Sequence, residues 1–164
     1  MPVTLVELLK QCGTNAADLV GELYLAFKAD VDTIPSATDH VVSAAITMKA
    51  SKVFVKVELS KKDKSYESNP EGDEDGSIYK TLFKGFHPHL RSVATNMLAG
   101  ASNGCDVIAI FKDKNGEQRI IGDLSEGAIL KAKEIITKEK NGYELELGWE
   151  SNLPPYFYTA AIPT

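Results

Sequence analysis

The segment Lys52–Leu59 alternates without a break: Val53, Val55, Val57 and Leu59 fall on one side, Lys52, Phe54, Lys56 and Glu58 on the other. Side chains repeat every two residues only in an extended chain, so this period predicts a half-buried strand. The same period runs through Glu22–Ile34, where Leu23, Leu25, Phe27, Ala29 and Val31 oppose Tyr24, Lys28, Asp30 and Asp32, and Pro35 closes the run. It returns in Tyr143, Leu145, Leu147 and Trp149. Val41–Lys49, Ile78–Phe86, Asp106–Lys112 and Gln118–Ile121 are further strand segments, rich in β-branched or aromatic residues.

Turn residues punctuate these runs. Lys114-Asn115-Gly116 predicts a tight hairpin, because Asn-Gly supplies the positive φ values of a type I′ turn, and Lys140-Asn141-Gly142 predicts a second. The segment before it, Ala128–Thr137, is ambiguous. Ile129, Leu130, Ala132, Lys133 and Ile136 form a helix face, but the hairpin asks for an extended mate, and a strand is preferred. Pro154–Ala160 is expected to be extended and to add an edge strand. One helix is expected at about 88–99, with Leu90, Val93, Ala94, Met97 and Leu98 at helical spacing, Pro88 in the first turn and Gly100 at the end. Within residues 1–20, Leu5, Leu8, Leu9 and Cys12 share a helical face and Thr4 with Glu7 forms a capping box, which predicts a short helix or an N-terminal arm.

The expected fold is mainly β: an antiparallel sandwich or barrel of hairpins, one flanking helix and a long polar loop at about 60–77. The chain has 164 residues, which suits one domain spanning 1–164. A formal net charge of -5 argues against wrapping nucleic acid, which depends on clustered Lys and Arg. Cys12 and Cys105 have no CxxC partner and are expected to be buried free thiols. No basic, apolar leader and no apolar run of membrane-spanning length is seen, so the chain is expected to be made in a cytoplasm.

Candidate chemistry is sparse. No phosphate-binding glycine loop, nucleophile elbow or zinc-protease motif is present. Glu71–Gly76 spaces acids like a calcium loop, but Leu82 stands where the closing Glu belongs, so a solvated acidic tip is favoured. His87-Pro88-His89 lacks a third ligand nearby, and His40 is remote. Tyr156-Phe157-Tyr158 would serve as a stacking platform only beside a basic stripe, which is missing. The expectation is therefore no catalytic, cofactor-binding or metal-binding residue, and no cofactor.

The distinctive stretch is Lys61–Gly76. It opens with Lys61, Lys62 and Lys64 and ends with Glu71, Asp73, Glu74 and Asp75; with Asp63 and Glu67 its net charge is -3 of the chain's -5. A segment with opposite signs at its two ends can pair head to tail with another copy, and repeated addition with one rotation and rise gives a tube. Lys61, Lys62, Lys64, Tyr66, Glu71, Asp73, Glu74 and Asp75 are the candidate subunit-contact residues.

The order of these features resembles the tail tube proteins of tailed bacteriophages and related injection systems. The features are the alternating strand ending Ile34-Pro35, the polar insertion leading through Gly72-Asp73-Glu74-Asp75-Gly76-Ser77-Ile78-Tyr79-Lys80 into a strand, the helix at His89–Leu98, Asn115-Gly116 with Arg119-Ile120-Ile121-Gly122-Asp123, and Asn141–Leu147 before Pro-Pro-Tyr-Phe-Tyr. The resemblance covers about residues 20–160. It implies homohexameric rings stacked into the conduit for DNA ejection. The hairpin around Lys61–Gly76 would reach the next ring, and an acidic lumen would repel DNA. Implied partners are other copies of the chain, a tape measure protein and a tail terminator, with DNA passing through unbound; the implied location is the virion tail. Two alternatives are a non-catalytic β adaptor, tail-completion or secretion-tube binding module, and an enzyme in which His40, His87 or His89 meets carboxylates.

Overall fold

The computed structural model describes residues 5–9, 13 and 15–164. The strands are β1 (Leu19–Phe27), β2 (Val31–Thr33), β3 (Val41–Val42), β4 (Thr47–Met48), β5 (Val55–Glu58), β6 (Ser65–Asp73), β7 (Gly76–Pro88), β8 (Val107–Asp113), β9 (Gln118–Ile121), β10 (Ile129–Ile136), β11 (Asn141–Ser151) and β12 (Phe157–Tyr158). A 3-10 turn at Lys28–Asp30 joins β1 to β2, and the helix α1 spans Ser92–Ser102. A six-stranded sheet runs β3-β12-β9-β8-β1-β5, a four-stranded sheet runs β10-β11-β7-β6, and β2 pairs with β4 in a third, two-stranded sheet. None of the sheets closes into a barrel, so the sandwich half of the expectation holds and the barrel half does not.

Two cores share the six-stranded sheet. Leu23, Leu25, Val57, Ala109 and Phe111 on one of its faces meet Phe83, Leu130, Tyr143, Leu145 and Leu147 of the four-stranded sheet. Ala26, Ile108, Ile110 and Ile120 on the other face meet Val42, Ile46, Phe54 and Tyr158. This explains why Val107–Phe111 reads as a continuous apolar run while β11 alternates: the first strand is covered on both faces, the second on one.

Several expected boundaries move. The Glu22–Ile34 strand breaks at Lys28–Asp30, and Val41–Lys49 is two short strands, β3 and β4. The helix starts later than 88–99 because β7 runs on to Pro88, paired with Gly142. His89 then turns the chain at φ +74 and Arg91 is extended, so the first helical residue is Ser92. Ala94, Leu98 and Ala101 enter the core, whereas Val93 stays exposed. Ala128–Thr137 is a strand, β10, in full register with β11.

The β8–β9 hairpin forms at Lys114-Asn115-Gly116, but only Gly116 has positive φ, and Gly116 N–H donates to the Asp113 carbonyl. This is a type I turn followed by a left-handed glycine, not type I′. In the second hairpin the turn lies at Thr137–Lys140, and Asn141 and Gly142 already belong to β11, paired with Ile136 and Ile135. Gly142 is needed there for close approach, since a Cβ would lie 2.2 Å from the His87 carbonyl oxygen.

β12 lies between β3 and β9 rather than at an edge, and Tyr158 is buried. Cys105 is an exposed thiol, not a buried one; Cys12 lies outside the described residues. Leu5–Leu9 carry no regular secondary structure, and both ends of the short helix expected there, Thr4 and Cys12, lie outside the described residues. Among the described residues, no helix is long and apolar enough to cross a membrane.

Candidate self-assembly face

The stretch expected as a loop at about 60–77 is mostly a strand. β6 pairs residue by residue with β7, from Ser65 opposite Lys84 to Asp73 opposite Gly76. The alternation signal fails because β6 is an edge strand whose inner face sets only Tyr66 against the core, with Ser68 half-buried and Pro70 exposed. Pro70 cannot donate to a ladder and is tolerated at an edge. Glu74 and Asp75 make the turn, and Asp73 Oδ1 accepts the Asp75 N–H at 3.0 Å. A Cβ at Gly72 would lie 2.1 Å from the Gly76 carbonyl oxygen, so only glycine allows the two strands to close here. The last β7 residue paired with β11 at this end is Tyr79, opposite Ser151, so Glu71–Ile78 stands beyond the sheet as an exposed tip.

This geometry sorts the candidate contact residues. Asp73, Glu74 and Asp75 gather at the tip, all exposed. Glu71 sits just below, 2.7 Å from Lys80 Nζ, and its carboxylate raises the Lys80 pKa. Lys61 and Lys62 are exposed at the opposite end, about 27 Å away at ~3.3 Å per strand residue. Lys64 and Tyr66 turn inward. The Lys64 side chain is only 2% exposed, its Nζ donating to the Leu19 carbonyl at 2.7 Å and lying 3.6 Å from Asp18. Tyr66 packs on Phe111 with ring centroids 4.7 Å apart, and burial raises its pKa. Asp18 also accepts from Lys114 Nζ at 2.8 Å and from the Leu19 N–H, which together lower its pKa to about 2.

The outer face of the four-stranded sheet holds a pattern not picked out from the sequence. Lys131 and Lys133 project from β10, Glu144, Glu146 and Glu150 from β11, Lys80 and Lys84 from β7, and Glu67 and Glu71 from β6. In register, Lys131 faces Glu146, which faces Lys84; Lys133 faces Glu144; and Glu150 faces Lys80. The strands therefore present basic, acidic, basic and acidic stripes in order. Such opposite-sign neighbours across strands are mutually favourable. Two shallow hollows, about 590 and 480 Å³, lie on this face. The signal was available in Lys131-Ala132-Lys133 and Glu144-Leu145-Glu146, where charge sits at every second residue.

Among the described residues both borders of this sheet lack a strand neighbour: β6 at the acidic side and β10 at the basic side. The helix α1 lies against the β10 border: Ser102 Oγ accepts the Ala132 N–H at 3.2 Å, and Thr95 Oγ1 donates to Glu134 at 2.7 Å.

The histidines serve the fold. His87 Nδ1 contacts the Glu58 carbonyl at 2.6 Å and its Nε2 contacts Arg91 at 3.2 Å, while His40 packs edge-on against Tyr156. Phe157 lies beneath the Arg119 guanidinium, 4.0 Å from its ring centroid. Among the described residues no three His, Cys, Asp or Glu side chains are placed to hold a metal. Compared with protein-family models, with curated proteins and with solved structures, the chain gives no match.

Proposed function

We propose that the chain is a structural subunit that assembles with its own copies into rings stacked as a tube, of the tail-tube kind that the order of its sequence features resembles. The observation carrying this reading is the four-stranded sheet, with an unpaired acidic border at β6 and an unpaired basic border at β10. Its strands alternate in direction as well as in sign. Rotation about an axis along the strands brings the β10 of one copy antiparallel to the β6 of the next, and basic meets acidic. The contact is heterologous and closes into a ring if the rotation is an integral fraction of a turn. Main-chain pairing supplies affinity and the charge stripes set the partner. The Ala132 N–H would exchange Ser102 for a carbonyl of the incoming strand. Pro70 marks where lateral pairing ends and the tip Glu71–Ile78 begins its reach toward the basic base, Lys61 and Lys62, of a copy in the next ring.

In such a ring the striped face would line the lumen. Its charge is nearly balanced rather than acidic. Phosphate binding depends on lysines free to exchange their counterions for the polymer, and here every outward lysine stands opposite a carboxylate or a border that another copy's carboxylates would cover. Non-adhesion to passing DNA then comes from local compensation. A virion-tail location, six-fold rings, and tape measure and terminator partners complete the reading on the strength of the resemblance.

The test is electron microscopy of the concentrated protein together with its mass in solution. Wild type is expected to form rings or tubes. The variants Glu67→Lys/Glu71→Lys and Lys131→Glu/Lys133→Glu are each expected to stay monomeric, because their two borders carry one sign. An equimolar mixture should assemble, since unlike borders then meet. A wild type that remains monomeric, or variants that each assemble alone, would sink the proposal.

A further inference from the structure

Two charged side chains on the core side of the sandwich form no ion pair among the described residues, and they stand at opposite borders of the four-stranded sheet. The first is Arg119 of β9. It sits directly opposite Phe111 and beneath the border strand β6. Its guanidinium is 4.0 Å from the centre of the Phe157 ring and 5.6 Å from that of Tyr66, so two aromatic walls fix its position. Its Nη1 donates to Tyr66 Oη at 3.5 Å and to the Pro155 carbonyl at 3.4 Å, both long contacts. A guanidinium offers a planar fork of donors that matches the two oxygens of a carboxylate, and that fork is open here.

The second is Glu134 of β10. It sits directly opposite Tyr143, a core residue, which puts it on the same side of the sheet as α1. Thr95 Oγ1 donates to its Oε1 at 2.7 Å. Glu134 does not serve Arg119 of its own chain. β10 and β6 are three strand spacings apart, ~14 Å at ~4.8 Å each, with Glu134 held by Thr95 at one border and Arg119 held under Tyr66 at the other.

We infer that Glu134 of one copy enters the slot at Arg119 of the next and closes an ion pair on the core side of the β6–β10 seam. The inference rests on the seam proposed above and adds what the outer stripes lack, a single register. With β10 antiparallel to β6, setting Glu134 opposite Tyr66 sets Lys133 opposite Glu67 and Lys131 opposite Asn69, diagonal to Glu67 and Glu71. The stripes alone tolerate a slip of two residues, which puts Lys131 opposite Glu71 and Lys133 opposite Asn69. The same slip carries Glu134 past Tyr66 and leaves Arg119 without its carboxylate. The two faces of the seam also have opposite polarity. Outside, β10 gives the cations and β6 the anions; on the core side, β10 gives the anion and the cation lies beneath β6. Discrimination between registers needs an unfavourable alternative as well as a favourable match, and this arrangement supplies both.

Glu134→Lys tests the pairing, because residue 134 is exposed in the single chain and the change leaves the outer stripes intact. Stripes acting alone would assemble as well or better with one more cation on β10. The inner pair gives the opposite expectation: a lysine facing Arg119 weakens self-association, followed by sedimentation, at least about tenfold. Adding Arg119→Glu to the same chain is expected to restore assembly, with circular dichroism checking that each variant is folded. Wild-type association of Glu134→Lys overturns the inference, and so does a folded double variant that fails to recover. If the double variant does not fold, the Glu134→Lys result decides alone. A wild type that stays monomeric sinks the seam and this pair together, whereas a wild type that assembles beside an unaffected Glu134→Lys removes the pair and leaves the seam standing.

Discussion

The two large sheets of this protein solve opposite problems. The six-stranded sheet is covered on both faces, and Leu23, Ile108, Ala109, Ile110 and Ile121 have no accessible surface. The four-stranded sheet is covered on one face and carries alternating lysine and glutamate stripes on the other. Burial of its central strands on both faces gives stability and leaves no broad charged face there to recognise a partner. Burial on one face leaves the outer face open, with no strand beyond β6 among the described residues and the β10 border held in part by α1 through Ser102 and Thr95. The physical difference lies in what each strand exposes to water, which is why assembly is assigned to one sheet and foldedness to the other.

The largest effect that would break this contrast is in the core. Leu23→Ala and Ile110→Ala point into different cores and should each cost about 2–5 kcal/mol in urea denaturation, through lost transfer energy and an unfilled cavity. Leu82→Ala, on the outer face of the four-stranded sheet, should cost about 1 kcal/mol or less. Equal losses at all three sites would show that the two sheets do not differ as described.

A smaller effect separates two glycines on one strand and one face. Gly142→Ala forces a Cβ against the His87 backbone and should destabilise by about 1–3 kcal/mol, whereas Gly148→Ala meets open space and should stay within ~0.5 kcal/mol. Thermal melts of the two variants would rank them.

Next comes the pH dependence of the Asp18 knot, which ties the start of β1 to Lys64 and Lys114. The folded pKa of Asp18, about 2, lies below its ordinary 3.8. Its stabilising share is therefore fully present above the ordinary value and is lost as the pH falls from about 4 through about 2. Asp18→Asn tolerates the positive φ of 87° at this position and lacks the titration. The stability difference between wild type and this variant should shrink across that window; a difference that is constant with pH would refute the assignment. The smallest effect is at the border: Lys133→Ala should change monomer stability by no more than ~0.5 kcal/mol while weakening self-association, measured by sedimentation.

Much of the fold was legible because its strands obey a period of two where one face is wet, as in β11, or run continuously apolar where both are dry, as in β8. β6 was not legible. Its inner face sets Tyr66 alone against the core, so composition marks it as a loop, and only pairing with β7 makes it a strand. Within the candidate site, the acids at Glu71, Asp73, Glu74 and Asp75 were identified from charge alone. Lys64 and Tyr66 were grouped with them by proximity along the chain, yet they face the opposite way, because alternate strand residues point to opposite faces. Lys131, Lys133, Glu144 and Glu146 were missed as a group: they lie on two strands, and their meaning depends on register.

The amino-acid order settled what is local: the alternation that makes strands, the place of the hairpin at Asn115-Gly116, the helical spacing of α1 and the change of sign along Lys61–Gly76. Those properties follow from backbone sterics and from the period of side-chain direction. Pairing across the chain settled the rest: which strand borders stay open, which lysines face carboxylates, and that the most regular stripe is split, Val57 and Leu59 entering the core while Val53 and Val55 line an open groove. Those depend on contacts between residues far apart in the chain, and no local periodicity encodes which neighbour a face will meet.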